Sequence, residues 1–142
     1  MLWVRFFHLL FAIAFVAGQV VGNFASRGLR TRTDPASRSA LIELVRRAFW
    51  SAQLPGLVLA GVLGNVLAVQ MGLRMASSPW LQQVNTLFLL MVLALIVGSF
   101  PALRRLQSAD DATFERSRKR WMMWHSILDL LYLITLIRMV WR

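Results

Sequence analysis

The sequence contains no cysteine and only one lysine, Lys119. The absence of cysteine excludes disulfides, iron–sulfur clusters and thiolate zinc sites. Charged side chains are also scarce, at 15% of the 142 residues, where a soluble domain carries about a quarter. Because 58% of the residues are hydrophobic, the composition excludes an ordinary soluble domain and favours a protein of the membrane.

Long apolar runs dominate the chain. Four of them are each roughly 20 residues long, which is the length that crosses a bilayer as one helix. We place the spans at residues 2–24, 49–73, 80–103 and 121–141. The sequence therefore predicts an all-α, integral membrane four-helix bundle, with residues 1–142 forming a single transmembrane domain.

The basic residues are concentrated in two connections between the spans. A net charge of +10 would suggest nucleic-acid binding in a soluble protein, but here the positions of the charges indicate a role in topology. By the positive-inside rule the two basic connections are cytoplasmic, so both termini lie outside. We predict a multi-pass protein of the bacterial cytoplasmic (inner) membrane, with lipid as its surroundings and no nucleic-acid partner. The twelve basic residues are Arg27, Arg30, Arg32, Arg38, Arg46, Arg47, Arg104, Arg105, Arg116, Arg118, Lys119 and Arg120.

Local signals predict where helices start and bend. Asp34 before Pro35 is typical of a helix start, so the second helix begins before its apolar run. Ser108 with Asp111 suggests a similar start for the fourth helix, and Pro55 predicts a kink in the second. The tryptophans predict an aromatic belt at each boundary. The outer belt would contain Trp3, Trp80 and Trp141, and the inner one Trp50, Trp121 and Trp124.

Small residues recur at every fourth position of the second span, and we call this set the seam. In lipid, such a spacing lets another backbone approach closely. One interpretation is ordinary helix packing within the bundle. The others are space for a flat cofactor, or an interface with a second copy or a larger membrane complex. The seam consists of Gly56, Ala60, Gly64, Ala68 and Gly72.

The first and fourth spans each carry a polar face. Helical spacing places His8, Gln19 and Asn23 on one side of the first span, and His125, Asp129 and Tyr132 on one side of the fourth. Burying polar groups in lipid is costly, so both faces should point into the bundle.

Three readings of His125 and Asp129 stay open. At i and i+4 they can form a structural hydrogen-bonded pair on one helix face. Alternatively, His125 binds a cofactor and is oriented by the carboxylate, or both residues belong to a proton relay that includes Tyr132.

His8 has no carboxylate near it in the sequence. It can bond a neighbouring helix, or it can bind haem or a metal. Met71 and Met75 are soft enough to hold Cu(I), but two methionines in so apolar a chain are better explained by packing. We therefore predict no metal site built from protein ligands alone.

The order of these features resembles a known group of membrane proteins. Residues 3–18, WVRFFHLLFAIAFVAG, resemble the first helix shared by the bacterial copper-resistance D proteins, the four-helix protoporphyrinogen oxidase of the haem pathway, and a related uncharacterised family of predicted integral membrane proteins. Residues 44–64, LVRRAFWSAQLPGLVLAGVLG, resemble their basic approach to a second helix with a Pro-Gly pair, and PWLQQVNTLFLL resembles the start of their third helix. The similarity covers nearly the whole chain and is greatest to the uncharacterised family.

The resemblance implies that His8 is a ligand of haem b. It does not extend to the oxidase reaction, because Gln82, Gln83 and Val84 stand where the oxidase group has a lysine. The predicted function is a haem-binding, redox-linked membrane protein, and the alternative is a non-catalytic assembly or packing subunit of a larger membrane complex. A rise of ~1.5 Å per residue places His8 and His125 roughly 15 Å apart along the membrane normal, so they should not share one haem.

Overall fold

The computed structural model describes residues 1–141, and in these residues the chain folds as a bundle of four helices. Each helix is long and apolar enough to cross a membrane by length and composition. This confirms the predicted all-α, four-helix architecture. The helices are α1 (Leu2–Thr31), α2 (Pro35–Gln70), α3 (Pro79–Gln107) and α4 (Asp111–Val140), and a short 3₁₀ turn at Met75–Ser77 lies between α2 and α3.

The helices extend well beyond the apolar runs on the side of the basic connections. The basic segments are helical, as we predicted for the start of α2, so only three residues separate α1 from α2. At the opposite end α2 stops at Gln70, earlier than the predicted Leu73. Gly72 has a positive φ of 76°, and the N–H of Leu73 donates to the carbonyl of Ala68 at 2.9 Å. This is a C-terminal cap that requires glycine, so Gly72 lies outside the helix and does not belong to the seam.

Both basic connections are closed by aspartate caps. Asp34 accepts a hydrogen bond from the N–H of Ser37 at 2.8 Å, which confirms the predicted start at Pro35, and its bonds to Ser37 lower the pKa of the carboxyl. The predicted cap at Ser108 is wrong, because the Ser108 hydroxyl donates back to the carbonyl of Arg104 in α3 at 3.2 Å. Asp110 caps α4, accepting from the N–H of Thr113 at 2.9 Å, and its pKa is lowered by its bonds to Thr113.

The two middle helices each contain a π-helical segment shortly before a proline. Phe49–Gln53 precedes Pro55, and Ala94–Ser99 precedes Pro101. Proline lacks an N–H and its ring clashes with the carbonyl four residues earlier, so a wider turn accommodates it without ending the helix. The distortion predicted at Pro55 is therefore present as a π segment, whereas the one before Pro101 was not predicted.

Interhelical contacts show how the connections are arranged. The side chain of Arg38 in α2 forms an ion pair with Asp111 in α4 at 3.3 Å and lies 4.4 Å above the ring of Phe114. At the opposite end, Nε1 of Trp80 donates to the carbonyl of Arg138 at 2.7 Å. The two basic connections therefore lie together at one end of the bundle.

One member of the predicted aromatic belts is a core residue instead. Trp121 is only 1% exposed, and its ring packs on the imidazole of His125 with 5.4 Å between centroids. Trp3 and Trp141 are largely exposed at the other end of the bundle, as an outer belt requires. A tryptophan on α4 is drawn inward here because α4 buries the face that carries His125.

Candidate functional site: the His8 cavity and the His125 cluster

The seam of α2 packs against α1 of the same chain. A Cβ added to Gly56 would lie 2.6 Å from the backbone nitrogen of Phe15 and 2.8 Å from the carbonyl oxygen of Phe11. One added to Gly18 of α1 would lie 2.8 Å from Cβ of Gln53. The two backbones therefore meet at a crossing that only glycine allows, which supports the helix-packing interpretation of the seam.

His8 lies on the same crossing, nearer the start of α1. Its Nδ1 is 2.8 Å from the carbonyl oxygen of Ala60, and a carbonyl can only accept, so Nδ1 carries the proton. In a neutral imidazole the other nitrogen, Nε2, is then an acceptor with a free lone pair. A Cβ at Gly64 would lie 3.1 Å from Cε1 of His8, so the missing side chain leaves room for the ring.

The His8 imidazole lines a cavity of about 570 Å³ between the four helices, which we call the His8 cavity. Its volume is in the range of small-molecule sites, which are mostly apolar with a few placed polar groups. One such group is Asn65, whose amide donates to Oδ1 of Asn85 at 2.7 Å. Tyr132 also lines the cavity, and its ring packs on Phe15 with 5.5 Å between centroids. The aromatic walls are Phe15, Phe88, Trp80 and Tyr132.

His125 lies in a separate polar group, the His125 cluster, formed by Gln19, Gln53 and His125. Nε2 of His125 donates to the carbonyl of Gln19 at 3.0 Å, and the residue is only 4% exposed. The amide of Gln53 donates to Oε1 of Gln19 at 3.0 Å. The Gln19 amide nitrogen is buried and has no hydrogen-bond partner among residues 1–141. Gly22 provides the space for the imidazole, since a Cβ there would overlap Cε1 of His125.

The hydrogen-bonded pair of His125 and Asp129 that we considered is not formed. Asp129 instead accepts from the amide of Asn23 at 3.1 Å. Within residues 1–141 no hydrogen bond links His125, Asp129 and Tyr132 to one another. Each of the three side chains reaches across to α1, where the polar faces of α1 and α4 meet, and Gln19 and His125 are buried as predicted. The prediction that the whole polar face of α1 points into the bundle is wrong at Asn23. Asn23 lies at the edge of this contact and is exposed.

The two histidines occupy different levels of the bundle. His8 bonds Ala60, whereas His125 bonds Gln19. Since His8 and Gln19 are eleven residues apart on α1, the two levels are separated by ~16 Å at the rise of an α-helix. The two imidazoles therefore cannot bind one iron from opposite sides. In the part of the chain that the structure describes, no cluster of three or more His, Asp or Glu side chains could hold a metal ion.

Sequence reasoning missed Gln53 as a member of the polar interior. The available signal was an amide side chain near the start of the apolar run of α2, two residues before Pro55. The π segment that ends at Gln53 is what brings this side chain to Gln19.

In comparisons with protein-family models, with curated proteins and with solved structures, no match to this chain was found.

Proposed function

We propose that this chain is a multi-pass protein of the bacterial cytoplasmic membrane that binds haem b through Nε2 of His8. The hydrogen bond from Nδ1 of His8 to the carbonyl of Ala60 is the observation that carries the proposal. Ligand histidines in proteins usually donate their other ring N–H to a carbonyl or carboxylate, which fixes the tautomer and the ring orientation. His8 has this arrangement beside a cavity.

The surface of the bundle supports a membrane location. Large apolar side chains are exposed along all four helices, among them Ile13, Val62, Leu89 and Leu133. A soluble monomer rarely exposes so continuous an apolar surface. Twelve of the sixteen basic residues belong to the two connections that lie at one end, as the positive-inside rule requires of a cytoplasmic face.

The residues of the His8 cavity fit a flat, mostly apolar group. When bound, haem would supply one-electron transfer, with its potential set by its axial ligands and surroundings. In the chain itself, Ala60 orients His8, the absent side chain of Gly64 leaves space beside the imidazole, and Asn65 with Asn85 supplies polar groups on the α2–α3 side. His125 is outside the lining of this cavity and is held by Gln19, so we assign it a structural role.

The resemblance described above points to the same residue, since His8 stands where the related oxidase group has its histidine. The alternative is a non-catalytic assembly or packing subunit of a larger membrane complex. It is supported by a different observation, the hydrogen-bonded polar side chains of Asn23 and Asp129 at the surface of the bundle.

The visible absorption spectrum of the purified protein, before and after addition of haem, tests the proposal. We expect a bound-haem spectrum that is abolished in His8→Ala and mostly retained in His125→Ala. Thermal unfolding in detergent would show that His8→Ala is folded. A parent protein without bound haem after reconstitution would contradict the proposal, and so would an equal loss in both variants.

A further inference from the structure

Asn23 and Asp129 form a polar pair on the outer surface of the bundle, between α1 and α4. Asn23 is exposed and Asp129 is half-buried, and their side chains are joined at 3.1 Å. Asp129 lies nine residues beyond Arg120, or ~13 Å along α4. Asn23 lies four residues before Arg27, or ~6 Å along α1, so in the proposed membrane location the pair lies just inside the hydrocarbon region, near the basic end.

The hydrogen-bonding capacity of this pair is only partly used. Asp129 engages Oδ2, which leaves Oδ1, and Asn23 keeps a second amide hydrogen and its carbonyl oxygen. In residues 1–141 no lysine or arginine forms an ion pair with Asp129. Lipid tails offer no hydrogen-bond partner, so polar groups at this depth face protein or water in stable membrane proteins.

We propose that a second copy of this chain covers this surface and that the two copies are related by a two-fold axis. The pair is self-complementary, because the Asn23 amide of each copy can donate to the Asp129 carboxylate of the other. A symmetric interface requires two such equivalent contacts. Polar side chains commonly join helices in membranes in this way. The surrounding side chains Val20, Phe24, Leu130 and Leu133 are exposed and apolar, which supplies packing around the polar centre.

The part of the seam from Gly56 to Gly64 cannot form this interface, because the backbone of α1 and the side chain of His8 already pack against it. The predicted homo-oligomer would therefore use the α1–α4 surface instead. This inference rests on the proposed membrane location and is independent of haem binding.

The absence of cysteine makes disulfide cross-linking a direct test in the full chain, reconstituted after purification into lipid vesicles. Ser126 is exposed one turn before Asp129, so Ser126→Cys should give a cross-linked dimer on oxidation. Leu89→Cys, on the exposed surface of α3, is the matched control and should give at least fivefold less cross-linked dimer than Ser126→Cys. Adding Asn23→Leu or Asp129→Leu to Ser126→Cys should reduce the dimer at least fivefold, while Asp129→Asn, which keeps hydrogen bonding, should retain it.

Equal cross-linking at positions 126 and 89 would overturn the proposal, as would dimer yields that are unchanged by both leucine substitutions. Asn23 is exposed, so Asn23→Leu tests the interface even if Asp129→Leu does not fold. In cell membranes, a Ser126→Cys adduct with a different protein and no dimer would also contradict a second copy as the partner. A chain that does not enter vesicles at all would instead contradict the membrane location, and loss of haem binding alone would leave this inference standing.

Discussion

At the scale of single residues, the interior is organised by side chains that bond backbone carbonyls of another helix. His8 bonds Ala60 and His125 bonds Gln19, so each imidazole joins two helices that are not held together by backbone bonds. Glycine makes both contacts sterically feasible, with Gly64 beside His8 and Gly22 beside His125. These contacts depend on how the helices cross, which explains why the local spacing of His125 and Asp129 suggested a different partner.

Gly22→Ala should destabilise the protein because its Cβ would overlap the imidazole of His125, which is buried against Trp121. We expect a loss of about 1–3 kcal/mol in the free energy of unfolding, as for other overpacked sites. Combining it with His125→Ala removes the obstacle, so the double variant should lose less than the sum of the two single losses. The measurement is equilibrium unfolding in mixed detergent micelles, with Ala17→Val at an exposed position of α1 as the control. Strict additivity of the two losses would contradict this account.

At the scale of helices, the sequence predicted what local chemistry determines and missed what the crossings determine. Asp34 before Pro35 specifies a helix start by itself, and the structure confirms it. The distortion before Pro55 was expected from proline chemistry, but the placement of Gln53 against Gln19 depends on the π segment and on the close approach of α1 at Gly18. The spacing of the seam predicted close packing, while its partner, α1, could not be read from spacing alone.

The seam also predicts an order of sensitivity among its glycines. At Gly56 an added Cβ would meet backbone atoms of Phe15 and Phe11, which move only if the helices separate, whereas at Gly64 it would meet the imidazole of His8. Gly56→Ala should therefore cost about 1–3 kcal/mol, and Gly64→Ala less. Val62→Ala, at an exposed position of the same helix, is the control for unfolding in mixed micelles. A larger loss at Gly64 than at Gly56 would show that the crossing has been placed wrongly.

At the scale of the whole molecule, charge and apolar surface are segregated. Twelve of the sixteen basic residues lie in the two connections that the structure places at one end, joined by Arg38 and Asp111. The bundle arrangement follows from four apolar segments and short connections, so it was predictable from the sequence. The orientation in the membrane depends on which side retains the basic end, a property of insertion that the folded bundle does not record.

The orientation can be measured with reporter fusions. Since lysine and arginine near span ends are retained on the cytoplasmic side, a reporter inserted after Ser108 should give a cytoplasmic signal, and one fused after residue 142 an external signal. The Ser108 site lies between α3 and α4, and its residue is exposed, so the insertion does not interrupt a helix. Substituting Arg104, Arg105, Arg116 and Arg120 by glutamine should weaken this bias and give a mixed signal after residue 142, because the connection between α3 and α4 would lose four of its six positive charges. The reverse pattern in the parent chain, with an external signal after Ser108, would refute the assignment of both termini to the outside.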